Sequence, residues 1–528
     1  MTERSTEAYV YASHERPSFP GSPYAPRHDA TRRIAYALIA LLAGAGATFG
    51  NGLVNVNTAN LAGGMGLYAA EASWLPAIYV AFNACANLML VKARAQFGIP
   101  AVTKGLLACY ALAAILQLVL PGFAAAVVIR AVCGLTAAAL TTFTTYNLLQ
   151  VFPLKLRPLA LIFGTSLPQL GPPLARLVPL DMLVLTDWQG LYLIELGLAL
   201  ALLAIMSLAP LPPSDRSKAF EPLDFVTIAL LLPAAILICS VLGLGRILWW
   251  TDTPWLGWAL AAAIPLLIAA WQVERRRQHP LLHFAWFSTG DMLRFALVAL
   301  LVRVALAEQT YGAVGLLTSG GLTNDQLHTL FTLVVIAMLL GMIVAALTLS
   351  EQRLPYQIMA ASLLIAWGAW MDSGANSLTR PEQLYLSQSL IAFGTTLFIG
   401  PALVYGFLRM LSRGPDHMVS FIVLFSVTQN IGGLGGSALL GSYQTVMARA
   451  HAQALSEHLL AADPQVAARL AQGSGQLLQA LTAQANVLGY NDVSRLVEIF
   501  ALAVALYLAY RILFYGILRR PVTKGNSA

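Results

Sequence analysis

Long apolar runs alternate with short polar breaks along the chain. There are fourteen such runs, centred on Ala43, Val80, Ala111, Ala137, Leu167, Leu198, Ala234, Ala263, Leu300, Ile336, Leu363, Thr396, Ser426 and Leu506. A helix needs about 20 apolar residues to cross the hydrocarbon of a bilayer. The runs are continuous, without the apolar and polar alternation of a membrane β-barrel. The pattern predicts an all-α polytopic membrane protein with fourteen transmembrane helices.

The polar breaks carry the topology. Taking alternate connections, 21 Lys and Arg fall on one side and 6 on the other, with the remaining 4 of 31 within or at the ends of spans. Cytoplasmic loops hold the basic excess, so both termini are expected in the cytoplasm of a bacterial inner membrane. Residues 1–31, with Pro17, Pro20, Pro23 and Pro26 among polar side chains, read as a flexible cytoplasmic tail, and 521–528 as a second one. Cleavage as a signal peptide is not expected, because a polar lead of 31 residues is long for one. From about 449 to 495, Leu455, Leu459, Ala462, Leu470, Leu477, Leu478 and Leu481 recur at helical spacing around an Asp463-Pro464 turn. This predicts a helical hairpin outside the membrane, either a plain solvated connection or a docking surface.

Composition narrows the class further. Of 528 residues, 58% are hydrophobic and 10% charged, with a mean hydropathy of +0.70, whereas soluble domains are about a quarter charged. That excludes a soluble, disordered or collagen-like chain. The net charge of +7 lies between spans, so it reports topology and implies no nucleic-acid partner. Cys85, Cys109, Cys133 and Cys239 sit inside apolar runs without metal-ligand spacing. His451 and His458, seven apart, read as solvated. No phosphate-cradling Gly-Lys-Ser/Thr loop occurs. No enzyme chemistry, cofactor or metal is expected; the partners are the lipid bilayer and a small-molecule substrate.

Several motifs carry a family resemblance. The fourth span reads VVIRAVCGLTAAAL and the fifth GTSLPQLGPPLARLV. They resemble the arginine-glycine motif of helix four and the Gly-Pro antiporter motif of helix five in the major facilitator superfamily. DWQGLYLIELG at the sixth span is similar to its drug:proton antiporter-2 branch, whose members have fourteen spans. ASWLPAIYVAF, YGAVGLL, SVTQNIGGLGGSALLGSYQTVMARAHAQALSEHL and QANVLGYNDVSRL resemble the Gram-negative multidrug-resistance exporter B type, so the likeness runs from about 34 to 520. The resemblance implies two pseudo-symmetric six-helix bundles, 32–210 and 274–520, with two helices inserted in 211–273. It also implies proton-driven export of amphipathic drugs or organic acids, with a periplasmic adaptor and an outer-membrane channel as partners. The chain departs from the pattern in places. Gly50 stands where the family usually has an Asp, just before Val54-Asn55-Val56; Ala95 replaces an acid after span two, and Gln429 an Arg in span thirteen.

An ionisable group inside the bilayer costs at least about 2.5 to 3.5 kcal/mol on insertion scales and is a functional candidate by default. Glu308 is the first candidate for a coupling acid and Glu195 the second, with a position at the outer headgroups left open for each. Arg130 calls for an acid, carbonyls or an anionic substrate as partner. Arg303 and Glu308, five apart, face different sides of a helix. Asn51, Asn55, Asn57 and Asn60 near the end of span one, with Gln429 and Asn430 in span thirteen, offer amides to a substrate or to a neighbouring helix. Gly164, Gly171 and Pro172, and Gly432 and Gly433, are the packing or gating elements. These in-bilayer polar groups are expected around one shared central chamber. Import or facilitated diffusion of a specific metabolite, and a non-transporting membrane sensor, stay open as other readings.

Overall fold

The computed structural model describes residues 15, 21–184, 188–287, 289–412, 414, 417–460 and 463–517. Most of the first 20 residues and the tail 521–528 therefore lie outside the described residues. Among the described residues, twelve helices are long and apolar enough to cross a membrane. They are α1 (Ala30–Val56), α2 (Ala69–Phe97), α3 (Ile99–Val119), α4 (Phe123–Val151), α7 (Gln189–Leu208), α8 (Pro222–Leu248), α9 (Pro254–Arg275), α12 (His328–Leu347), α13 (Leu354–Asp372), α14 (Tyr385–Leu411), α15 (Met418–Glu457) and α17 (Ser474–Ile517). The fifth and ninth apolar runs fold as interrupted helices. Around Pro168, α5 (Pro158–Ser166) tightens into a 3-10 turn, Leu167–Leu170, before α6 (Gly171–Ala175). In the ninth run, α10 (Gly290–Ala305) and α11 (Glu308–Ser319) are separated at Leu306 and Ala307.

Two bundles result. Leu53, Leu107, Ile129, Phe143 and Leu191 belong to a core made by α1 to α4 and α7. Val302, Ile365, Phe398, Phe421 and Val497 belong to one made by α10, α13, α14, α15 and α17. A third apolar layer, including Ala160, Leu167, Val314, Val334, Met338 and Ala392, joins them where α5 faces α12 and α14. On the opposite flank α2 meets α15, and Asn87 donates to Ser426 across that seam at 3.0 Å. The inserted α8 packs its Ala235 and Cys239 onto Ala77 and Ala81 of α2.

A charge cluster fastens this inserted pair. Asp224 at the start of α8 accepts from Lys92 of α2 at 2.6 Å and from Arg277, just beyond α9, at 2.7 Å. Arg277 also reaches Glu274, which accepts the Leu282 backbone N–H at 3.1 Å. Burial works against the Arg277 charge, but its hydrogen bonds to Asp224, Glu221 and Glu274 outweigh that and raise its proton affinity above the ordinary arginine range.

Part of the segment read as a flexible tail, around Pro23 and Tyr24, is laid down against the protein. Pro23 bridges to Ser214, Tyr24 N–H donates to the Pro213 carbonyl at 2.9 Å, and Gln150 Nε2 donates to the Tyr24 carbonyl at 3.1 Å. Polar composition signalled solvent here, yet prolines restrict the unfolded chain and make ordering such a strand cheaper. At the other end, α15 and α17 have 40 and 44 residues. At 1.5 Å per residue each is about 60 Å or longer, twice the hydrocarbon thickness. The segment 449–495 is thus largely the continuation of these two helices, tipped by α16 (Pro464–Gln472), which Asp463 caps by accepting from Gln465 N–H. His451 and Asp492 pair across it at 2.6 Å.

Helices in lipid associate through close packing of small residues. A Cβ on Gly171 would stand 2.7 Å from the Phe49 backbone nitrogen of α1. Gly171→Ala is expected to destabilise the protein by about 1–3 kcal/mol through overpacking. Gly197→Ala, with nothing within 4 Å, should leave the melting temperature in detergent unchanged; equal melting of both variants would refute the tight contact.

Candidate functional site

Apart from the Asp224–Glu274–Arg277 cluster at the α8–α9 end, two clusters of buried charge lie in the spans, one in each bundle. In the first, Arg130 on α4 and Glu195 on α7 are 1% and 0% exposed. Arg130 Nη2 donates to both carboxylate oxygens of Glu195, and Nη1 donates to the Gly50 carbonyl of α1 at 3.3 Å. The partner expected for Arg130 is therefore an acid and a carbonyl together. Glu195 does not reach the outer headgroups, because α7 turns it inward onto Arg130. A Cβ on Gly50 would stand 2.9 Å from Glu195 Oε1 and closer still to the Tyr110 hydroxyl. The absence of a side chain at position 50 is what admits the Glu195 carboxylate.

In the second cluster, Glu308 is fully buried, so it does not snorkel. The interruption of the ninth run places it in the first turn of α11, where backbone N–H groups favour a carboxylate. Gln388 of α14 donates from one amide nitrogen to Glu308 Oε2 at 3.2 Å and to Asp372 Oδ2 of α13 at 2.6 Å. Asp372 is 4% exposed. Two carboxylates from different helices thus meet around a single amide. Sequence reasoning missed Asp372 and Gln388. Asp372 closes its apolar run beside Ser373 and Gly374, as a headgroup-level residue would.

Arg303 stands apart from both clusters. Its Nε donates to the Gln429 carbonyl at 2.8 Å, and among the described residues no carboxylate lies within ion-pair distance of it. Both side-chain polar atoms of Gln429 are buried without a hydrogen-bond partner among the described residues. Asn430 donates to the Ser426 carbonyl of its own helix at 3.0 Å. Gly433 lets α15 lie against this guanidinium, since a Cβ there would be 2.8 Å from Arg303 Nη2. Gly432 similarly faces Leu300 of α10, Gly164 faces Thr145 of α4, and Pro172 lies against Gly52 of α1.

The amides of span one are not brought together. Asn57 turns back to the Leu53 carbonyl of its own helix at 2.9 Å, Asn55 and Asn60 are exposed, and only Asn51 keeps a buried, unpartnered oxygen. The expected single chamber is corrected accordingly: Arg130 pairs with Glu195 in one bundle and Gln388 bridges Glu308 and Asp372 in the other, while Gln429 and Asn51 keep unpartnered side-chain atoms among the described residues.

Among solved structures, the chain is similar to a peptide transporter POT in complex with sulfate, at 13% identity and a TM-score of 0.56, covering 92% of this chain and 97% of that one. It is similar to the MFS (major facilitator superfamily) proton:xylose symporter XylE bound to 6-bromo-6-deoxy-D-glucose, at 12% identity and a TM-score of 0.53, covering 90% and 96%. The fold is that of the major facilitator superfamily. A bacterial homologue of the human drug peptide transporters PepT1 and PepT2 is similar too, at 11% identity and a TM-score of 0.56, covering 92% and 99%. No family sequence model matches the chain, and no curated protein sequence does. Within this major facilitator architecture, Arg130 and Glu195 belong to the N-terminal bundle, and Glu308, Gln388 and Asp372 to the C-terminal one.

Proposed function

We propose that the protein is an inner-membrane secondary transporter that exports amphipathic drugs or organic acids in exchange for protons. It would be a divergent, fourteen-span member of the drug:proton antiporter-2 branch, of the multidrug-resistance exporter B type. The observation that carries this reading is the buried Glu308–Gln388–Asp372 cluster. Two ionised carboxylates sharing one amide in a low-dielectric interior repel each other, and a proton held between them relieves that repulsion. Such a site is loaded from one side of the membrane and emptied to the other as the bundles rock. One charge moving through 100 mV delivers about 2.3 kcal/mol, enough for roughly fortyfold accumulation.

Arg303 and Gln429 fit the cargo side of this proposal. A guanidinium without a neighbouring carboxylate, beside an unpartnered amide, suits an anionic or strongly polar group on an otherwise apolar compound. Arg130 and Asn51 are proposed as its counterpart in the other bundle, and the projecting ends of α15 and α17 as the dock for a periplasmic adaptor. The test is uptake of a panel of compounds into inverted vesicles. Uptake is expected to need a pH gradient and to collapse with an uncoupler. Arg303→Ala should raise KM for anionic cargo about tenfold or more and leave neutral cargo within twofold. Uptake indifferent to the uncoupler would remove proton exchange from the proposal.

A further inference from the structure

A cleft of about 610 Å³ opens in the C-terminal bundle at the end where α17 finishes. That volume falls within the roughly 300–1,000 Å³ of small-molecule sites. It is lined from the early turns of α10 and α13 and from α14 and α17, and holds none of the buried charged groups discussed above. Its walls carry Arg294, Arg409 and Arg511 against a single carboxylate, Asp291.

Asp291 is shared between Arg294 and Arg409 at 3.9 Å each, the limit of an ion pair, and those two arginines are 55% and 40% exposed. Each guanidinium carries five N–H donors, so most of the donors of these two remain open toward the cleft. Arg409 lies over the Tyr405 ring at 5.0 Å, which fixes its plane. Tyr356 and Tyr507 complete the rim, as aromatic residues do where a membrane protein meets the headgroups. Flanking Arg294 on α10, Leu293 and Leu297 are 63% and 55% exposed, an apolar helix face that no described residue covers. A cationic basin at the membrane interface with an apolar wall next to it matches a molecule with an anionic head and hydrocarbon tails. Basic pockets between helices hold anionic headgroups by this geometry.

We infer that this cleft binds the headgroup of one anionic phospholipid, its phosphate against Arg294, Arg409 and Arg511 and its chains along α10. The full-length protein, purified and delipidated in detergent, would be titrated with phosphatidylglycerol, phosphatidylcholine or inorganic phosphate and followed by native mass spectrometry. One phosphatidylglycerol should be retained per chain, with phosphatidylcholine at least tenfold weaker and millimolar phosphate unable to displace the lipid. A membrane-surface contact of about 1 kcal/mol per arginine corresponds to about fivefold in affinity. Arg294→Gln with Arg409→Gln should therefore weaken retention about 25-fold. Asp291→Asn should tighten it about fivefold, a gain that misfolding does not produce.

Retention in the double arginine variant equal to the wild type, or phosphatidylcholine held as firmly as phosphatidylglycerol, would overturn the inference. Displacement by phosphate would also overturn it, by assigning the cleft to a soluble anion. If the arginine variant cannot be purified, Asp291→Asn decides alone, and unchanged retention refutes the site.

Discussion

Glu308→Gln in proteoliposomes is expected to lose pH-gradient-driven transport at least a hundredfold while cargo still exchanges across the membrane, within about twofold of wild type, when no gradient is imposed. The substitution keeps the side chain's size and its place in the first turn of α11, and fixes the site in the shape of its protonated form. Asp372→Asn should have the same character, because Gln388 Nε2 faces both carboxylates at 3.2 and 2.6 Å. Residues that act as a unit are strongly non-additive. The double variant Glu308→Gln with Asp372→Asn is therefore expected to be no worse than Glu308→Gln alone. Independent losses that multiply would mean that the two acids do not share a proton. A wild-type gradient response in Glu308→Gln would remove the cluster from coupling altogether.

The apolar runs were legible because bilayer thickness sets a minimum length for a span: thirteen of the fourteen centres fall in α-helix and Leu167 in a 3-10 turn, while twelve helices among the described residues are long and apolar enough to span. The interruptions at Pro168 and Leu306–Ala307 were harder, since hydropathy averages across a break of two to four residues. In-bilayer charge located Arg130, Glu195 and Glu308 but not their long-range partners. Lys92 and Arg277 served only as topology markers, yet they converge on Asp224, because an ion pair between residues 53 and 132 apart leaves no local trace. Asp372 was invisible for a related reason: its burial is created by α14 packing onto α13 and not by its own neighbours in sequence. The asparagines of span one failed in the opposite direction. An amide in an apolar run advertises a polar environment, but Asn57 satisfies itself on its own helix one turn back.

Removing the Glu195 carboxylate is expected to cost about 3–5 kcal/mol, the penalty of leaving a buried charge without its partner, because Arg130 would retain only the Gly50 carbonyl at 3.3 Å. Glu195→Ala should appear as a large fall in melting temperature in detergent. Gly50→Asp alone should also destabilise, since its Cβ would press on the Tyr110 hydroxyl and on Glu195 Oε1 and set a second acid beside the first. Combined, the two substitutions are expected to recover at least half of the stability lost in Glu195→Ala, with α1 now offering the carboxylate that α7 has given up. Contacting residues show such coupling in double-mutant cycles, commonly 0.5–3 kcal/mol. Gly50→Asn with Glu195→Ala supplies the same shape without the charge and should not rescue. Additive losses in the Asp combination would show that the Glu195 carboxylate does not occupy the space left open by Gly50. Rescue would explain how this chain keeps an acid against its buried arginine although the acid that the family resemblance leads one to expect on the first helix is missing.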